Sequence, residues 1–244
     1  MIQPTYPHHS HLRVTIIGVF LMLLFLAMFF INFRILRKSQ AYHVLYEDLI
    51  RYEEAGQKLR LGSDNLTFAV RRFSVNAAME ELDAYFHEVN VAKNREDALA
   101  LLDSLPNGAK VKKELDEAMD YSQRLMDIEY HAMRLLVKPE MLSRSDFPAV
   151  VRDYPLSEEE LAMSPEERSQ KARDLLFGSR YEFFKERIYF HISQIFQRAI
   201  QEQKTILNHT IVTQRFLIHI LGFTMIGLLL LLIVLSFVVR SSLY

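Results

Sequence analysis

The residues with the most chemical potential sit at helical spacings in the middle of the chain. Glu129 falls on the apolar stripe of VKKELDEAMDYSQRLMDIEYHAMRLL, with Met126 and Met133 beside it in space. A carboxylate on such a stripe needs a partner or must take up a proton. Asp64, Thr67 and Arg71 share one face of another helical stretch, at i, i+3 and i+7. Counting back from the far ends of the two helices puts Arg71 and Glu129 within roughly 6 Å in height. The candidate ligand-binding site is therefore Asp64, Thr67, Arg71, Glu129 and Arg134, at the end of the domain farthest from the membrane. The competing reading is a structural ion pair that fixes helix register.

Catalysis is not expected, and neither is a cofactor. The chain has no Gly-rich phosphate loop, no HExxH and no GxSxG. The absence of cysteine excludes disulfides, thiolate metal sites and cysteine nucleophiles. His8, His9 and His11 cluster near the start but read as a polar flank, not a metal site. His87 and His131 each lack a second histidine at i+4 and read as packing residues. Asn65-Leu66-Thr67 and Asn208-His209-Thr210 match the glycosylation pattern, but their helical placement argues against use. A formal net charge of -1 gives no reason to expect nucleic acid as a partner.

Long helices must position the candidate residues. Gly and Pro number seven each, and apolar residues recur at 3-4 spacing. The first stripe is Leu45, Leu49, Tyr52, Gly56, Leu59, Ser63, Leu66, Val70 and Phe73. A second runs through Leu82, Tyr85, Val89, Ala92, Leu99 and Leu102, a third through Val111, Leu115, Ala118, Ser122, Leu125, Glu129, Ala132 and Leu136. The last holds Phe184, Ile188, Ile192, Ile195, Ala199 and Ile206. Breaks are expected at Asn76, at Pro106-Asn107-Gly108 and at Lys138-Pro139. A less regular stretch then leads to Gly178, and within it Ser164-Pro165-Glu166-Glu167 reads as a capping box with Pro at the first helical position. Arms of roughly 45 to 60 Å predict an all-α, up-down-up-down four-helix bundle.

Acidic residues are confined to the middle: none precedes Glu47 or follows Glu202. Residues 14–33 carry no charge, and residues 216–239 are broken in polarity only by His219, Thr224 and Ser236. A bilayer core needs about 20 apolar residues in a helix. Both runs are therefore expected to span a membrane, the first as an uncleaved anchor because no small-x-small cleavage site follows it. The organisation expected is a short segment 1–13, span 14–33, helical domain 34–215, span 216–239 and a short tail 240–244. Arg34, Arg37, Lys38, Lys204 and Arg215 flank the spans on the domain side, against Arg13 and Arg240 outside. That count alone puts the domain in the cytoplasm, but the rule weakens for a loop this long.

Two stretches resemble known sensor modules. In GSDNLTFAVRRF, residues Ser63, Asp64, Leu66, Thr67, Arg71 and Phe73 fit a pattern S-D-x-L-T-x-x-x-R followed by an aromatic. Leu82, Tyr85 and Phe86 fit the Y-x-x-x-Y-F region that follows, while the intervening T-G-D turn is replaced by Asn76-Ala77-Ala78. Ser122, Leu125, Glu129, Ala132 and Met133 fit S-x-x-L-x-x-x-E-x-x-A-M, and LLFGSRYEFFKERI resembles the entry to a fourth helix. In order and spacing, residues 34–215 resemble the N-terminal sensor region of bacterial transmembrane receptors: diguanylate cyclases most closely, then histidine kinases and chemoreceptors.

The resemblance implies an extracytoplasmic helical sensor in the bacterial inner membrane, with both termini in the cytoplasm and a homodimeric state. It implies a small-molecule or protein signal. RSSLY offers no GGDEF-like segment and no phosphoacceptor region, so cyclase or kinase activity is not expected in these residues. The chain then reads as the front of a longer receptor with a truncated tail, or as a free-standing sensor working through a separate cytoplasmic output partner. The transmission expected is a slide or rotation of the first and last helices. Gly56 and Ser63 thin the first seam, which eases such a slide or is of no consequence. The alternative is a non-enzymatic two-span scaffold or assembly subunit of an envelope complex.

Overall fold

A computed structural model describes residues 8–142 and 147–242. Residues 1–7, 143–146 and 243–244 lie outside the described residues, as do the side chains of residues 8–14, 139–140, 238–239 and 241–242. The His8, His9 and His11 cluster and the ends of the expected N-terminal segment and tail fall there.

The described residues are helical and contain no strand. Helix α1 runs unbroken over His8–Asn76, and α10 over Ser179–Ser242. Between them lie α2 (Met79–His87), a π-helical turn (Glu88–Ala92), α3 (Asn94–Asp103), α4 (Gly108–Glu114) and α5 (Asp116–Leu136). Four further helices follow: α6 (Pro139–Leu142), α7 (Ala149–Arg152), α8 (Glu158–Ala162) and α9 (Pro165–Phe177).

The chain divides into two compact units, residues 48–202 and residues 1–47 with 203–244. The first unit holds the core. From α1 it takes Tyr52, Leu59, Val70 and Phe73; from α5, Leu125, Ala132 and Met133; from α10, Tyr181, Ile188, Ile192 and Phe196. All but Met133, Tyr181 and Phe196 lie on the predicted stripes, because 3.6 residues per turn keeps such spacings on one face. Ala172 and Leu176 of α9 and Val151 of α7 close the core from the less regular stretch. Gly56 packs against Phe196, where an added Cβ would sit 3.0 Å from the ring, so this glycine permits close helix approach and is not slack in the seam.

The second stripe is not one helix. The π turn and Lys93, at φ 49°, rotate the chain after Tyr85, so Ala98 is buried while Ala92 and Leu99 of the expected stripe are only half-buried; Leu102, also on that stripe, is buried as expected. The last stripe shifts by one residue after Ala199: Gln203, Leu207 and Thr210 are buried and Ile206 is exposed. The breaks at Asn76, Asn107 and Ser164 fall where turn and cap residues put them, whereas the break at Leu115, between α4 and α5, cuts the expected third stripe with no such signal. Ala77 and Asn107 take positive φ at the expected turns. Ser164 accepts from Glu167 N, the Glu167 side chain returns to Ser164 N, and Pro165 opens α9.

In the second unit, α1 and α10 are each long and apolar enough to cross a membrane. Phe20, Leu23, Phe25 and Phe29 of α1 are exposed, as are Phe223, Leu229 and Phe237 of α10. A helix that is apolar on every side and exposed over most of its surface matches a lipid-facing span.

Candidate functional site

Glu129 is 1% exposed and held between two phenols. Tyr181 of α10 donates to its Oε1 at 2.6 Å, and Tyr85 of α2 donates to its Oε2 at 2.7 Å. Both tyrosines are fully buried, and each lies on an apolar stripe, three residues past Leu82 or three before Phe184. Thr67 Oγ1, on α1, lies 3.3 Å from the Tyr181 hydroxyl. A phenol has one hydrogen. With the Tyr181 hydrogen on Glu129, Thr67 must be the donor to Tyr181 Oη. One polar chain thus joins α1, α10, α5 and α2.

Burial pushes the Glu129 carboxyl up to about 7. The hydrogen bonds from Tyr181 and Tyr85 oppose that rise, as do the charges of Lys185 and Arg71, without cancelling it. Burial and the neighbouring Glu129 carboxylate together raise both tyrosines.

Arg71 does not pair with Glu129. Its Nε and Nη2 donate to the Leu176 carbonyl at 3.2 and 2.9 Å, near the end of α9, and its Nη2 pairs with Glu182. The guanidinium lies over the Phe177 and Tyr181 rings, 4.7 and 5.0 Å from their centroids. Arg71 therefore makes no hydrogen bond to the carboxyl; it stacks on the tyrosine that does, and acts on Glu129 through its charge. Asp64 forms a separate pair of contacts, accepting from the Tyr189 hydroxyl and lying 3.8 Å from Lys185 Nζ. Arg134 is five residues beyond Glu129, turned about 140° around the helix. Among the described residues no hydrogen bond or ion pair brings it to Glu129, and its Nε is buried without a hydrogen-bond partner.

Of the five expected residues, then, Thr67, Arg71 and Glu129 meet around Tyr181, Asp64 lies beside them, and Arg134 lies apart. The sequence reading missed Tyr181, Tyr189, Lys185 and Glu182 as partners. Extending the last stripe one step back from Phe184 reaches Tyr181, and a buried phenol needs an acceptor.

Two spaces lie near this cluster. A cavity of about 40 Å³ is bounded by Leu59, Ser63, Glu88, Ser122, Met126 and Ile188, the size of a site for water, not for a metabolite. An open groove of about 480 Å³ is bounded by Asn65, Phe68, Arg72, Glu81, His87 and Glu88. Neither is lined by Glu129. Thr67 and Glu129 are each 1% exposed, so anything larger than a proton reaches them only if helices part.

A second polar cluster surrounds Glu160 of α8. Its Oε1 accepts from His131 Nε2 and Lys171 Nζ, both at 2.8 Å, and its Oε2 accepts from Ser157 N at 2.8 Å. Burial acts to raise this carboxyl, but Lys171, the Ser157 N–H and His131 outweigh it and hold it at about 2. His131 also stacks on Tyr154, 5.2 Å between centroids, so it is a packing and pairing residue. His87 is exposed. Asn65 turns its amide inward, donating to Glu88 Oε2 at 2.8 Å.

No protein-family model, no curated protein and no solved structure matches this chain. The likeness to receptor sensor regions rests on the chain's own motifs.

Proposed function

We propose that this chain is the membrane-anchored signal-sensing part of a bacterial receptor, resembling the sensor half of a diguanylate cyclase. Its helical domain, read as an up-down-up-down four-helix bundle, faces out of the cytoplasm from the inner membrane. Movement induced there by a small molecule or protein is passed inward to an output partner or domain. The observation that carries this reading is helix continuity. Helices α1 and α10 each run without a break from core residues such as Phe73 and Tyr181 to an apolar, span-length segment. A shift in either helix where it packs in the core is thereby coupled along its own axis.

A homodimer is part of the proposal. Its support is a second apolar stripe on α1: Ile50, Leu61, Phe68 and Val75, spaced by eleven, seven and seven residues and 46% to 75% exposed. These spacings are whole turns of a helix, so the stripe runs straight along the face away from the core.

The absence of cysteine allows a clean test. Spin labels placed on introduced cysteines in α1 and α10 of the full chain in lipid nanodiscs report the distance between these helices. A sensor changes that distance when its signal is added from a metabolite or periplasmic-extract panel, and its melting temperature rises with the same addition. A scaffold subunit shows neither change.

A further inference from the structure

Four glutamates are buried among the described residues, and three of them have ionic or amide partners. Glu81 pairs with Arg72 at 2.7 Å, and Glu160 with Lys171 and His131. Glu88 accepts from Asn65 Nδ2 and from both the backbone and side-chain nitrogens of Asn94. Glu129 alone is held by neutral phenols.

We propose that Glu129 is a proton-binding site, and that binding one proton transfers a hydrogen bond of Tyr181 from α5 to α1. The proposal rests on the sensor reading only in its consequence, by naming a signal; the binding itself does not depend on it.

The geometry already accommodates both states. With Glu129 ionised, Tyr181 and Tyr85 donate to its two oxygens, and Thr67 donates to Tyr181. A carboxylic acid must instead donate through one oxygen. One proton from water adds to Oε1, and the new O–H points at Tyr181 Oη, 2.6 Å away. Tyr181 then turns its own hydrogen to Thr67 Oγ1, 3.3 Å away. Thr67 gives up its own donation to Tyr181 in exchange, and its hydrogen must turn to the carbonyl four residues back on α1, the acceptor open to a helical threonine. The contact of α10 with α5 changes from charge-assisted to neutral, and roughly half its strength goes with the charge. The contact of α10 with α1 gains a phenolic donor.

The surroundings leave the carboxyl free to titrate. From α1, Arg71 faces the site but is held by Glu182 and the Leu176 carbonyl. From α10, Lys185 lies nearer to Asp64 and over the Phe68 and Tyr189 rings. Helix α2 offers Tyr85, and α5 itself offers Tyr130, whose ring centroid is 6.1 Å from that of Tyr85. On α9 the buried residues are Ala172 and Leu176, and Lys171 is engaged by Glu160, as is His131 of α5. On α7 the buried residue is Val151, and Arg152 pairs with Asp153.

The test is infrared difference spectroscopy of the full chain in nanodiscs, titrated across the neutral range. A carboxylic-acid carbonyl band should grow as pH falls, and Glu129→Gln, whose amide copies the protonated group, should abolish it. Tyr181→Phe removes a donor to the carboxylate and should move the midpoint up by about one pH unit or more. That second variant keeps the test decisive if Glu129→Gln does not fold. A missing band, a band that survives Glu129→Gln, or a midpoint that falls in Tyr181→Phe overturns the site and leaves the sensor reading standing. A titrating Glu129 in a chain whose α1–α10 distance never moves overturns the sensor reading alone.

Discussion

Glu129 and Glu160 are both buried glutamates, 1% and 4% exposed, yet their protons behave in opposite ways. Glu160 faces a lysine, a histidine and a helix-capping N–H, and its carboxyl is held at about 2. Glu129 faces two phenols, and burial takes it up to about 7. Burial itself therefore says little about a carboxylate. The charge and number of its donors decide which protonation state the fold prefers. At pH 7 Glu160 is a fixed anion that pins the stretch around α8 and α9 to α5, whereas Glu129 is poised between states.

The sharpest way to break this contrast is truncation. Glu129→Ala leaves the Tyr85 hydroxyl buried without its acceptor, leaves Tyr181 only the longer contact to Thr67, and opens a gap between four helices. The expected cost is about 3–5 kcal/mol in chemical denaturation of the full chain. Glu160→Ala, at a more peripheral site whose lysine can turn to water, should cost about 1–2 kcal/mol. Equal losses would mean that the phenol pair matters no more than the ionic cluster.

The next effect is pH dependence, and the two residues should act with opposite sign. Unfolded, Glu129 loses its proton near 4.5; folded, it keeps it to about 7. Between those values the folded chain binds more protons, so its stability falls as pH rises, by on the order of 3 kcal/mol in total. Glu160 has a folded value of about 2 against 4.5 unfolded, so it contributes stability above 4.5 that is lost as pH falls towards 2. Denaturation curves across this range should show the falling limb between 4.5 and 7 in the wild type but not in Glu129→Gln.

Arg71→Ala separates the structural and ligand-binding readings of the predicted site. The variant loses the contacts to the Leu176 carbonyl and Glu182 and the stacking on Tyr181. A loss of about 1–2 kcal/mol is expected. A lower melting temperature with an unchanged signal response in the spin-label assay would leave Arg71 a structural role only. Loss of the response at retained stability would restore it to the ligand site.

How much of this was legible in the sequence follows from what a helical period encodes. Period alone placed Glu129 on the core side of α5 and Leu59, Val70 and Phe73 on that of α1. Breaks at Asn76, Asn107, Ser164 and Gly178 were legible because turn and cap residues mark them. The partner of Glu129 was not. Height along a helix matched Arg71 to Glu129, but rotation about each axis decides contact, and it turned Arg71 towards Leu176 and Glu182. The π turn at Glu88–Ala92 was also hidden, because EVNVAK contains neither Gly nor Pro and Lys93 takes positive φ without either. The sequence motifs marked Thr67, Arg71 and Glu129; the tyrosine that joins them lay one helical step beyond the stripe that was read.

The smallest effect concerns how Glu160 is held. Ser157→Ala removes the hydroxyl that accepts from Glu160 N at 3.2 Å, but keeps the Ser157 backbone N–H that donates to Glu160 Oε2. Half of the capping box survives, so the cost should be about 0.5–1 kcal/mol, confined to α8. Because Lys171, His131 and the N–H all remain, the carboxyl of Glu160 should stay far below the ordinary glutamate value. Carbon-13 NMR titration of labelled glutamate side chains reads this directly, in the same sample that reports Glu129. If removing one neutral hydroxyl returned Glu160 to the ordinary range, its low value would depend on local helix order and not on its charged partners. The contrast with Glu129 would then be one of rigidity. If Glu160 stays low while α8 loosens, donor charge separates the two glutamates, as their geometry requires.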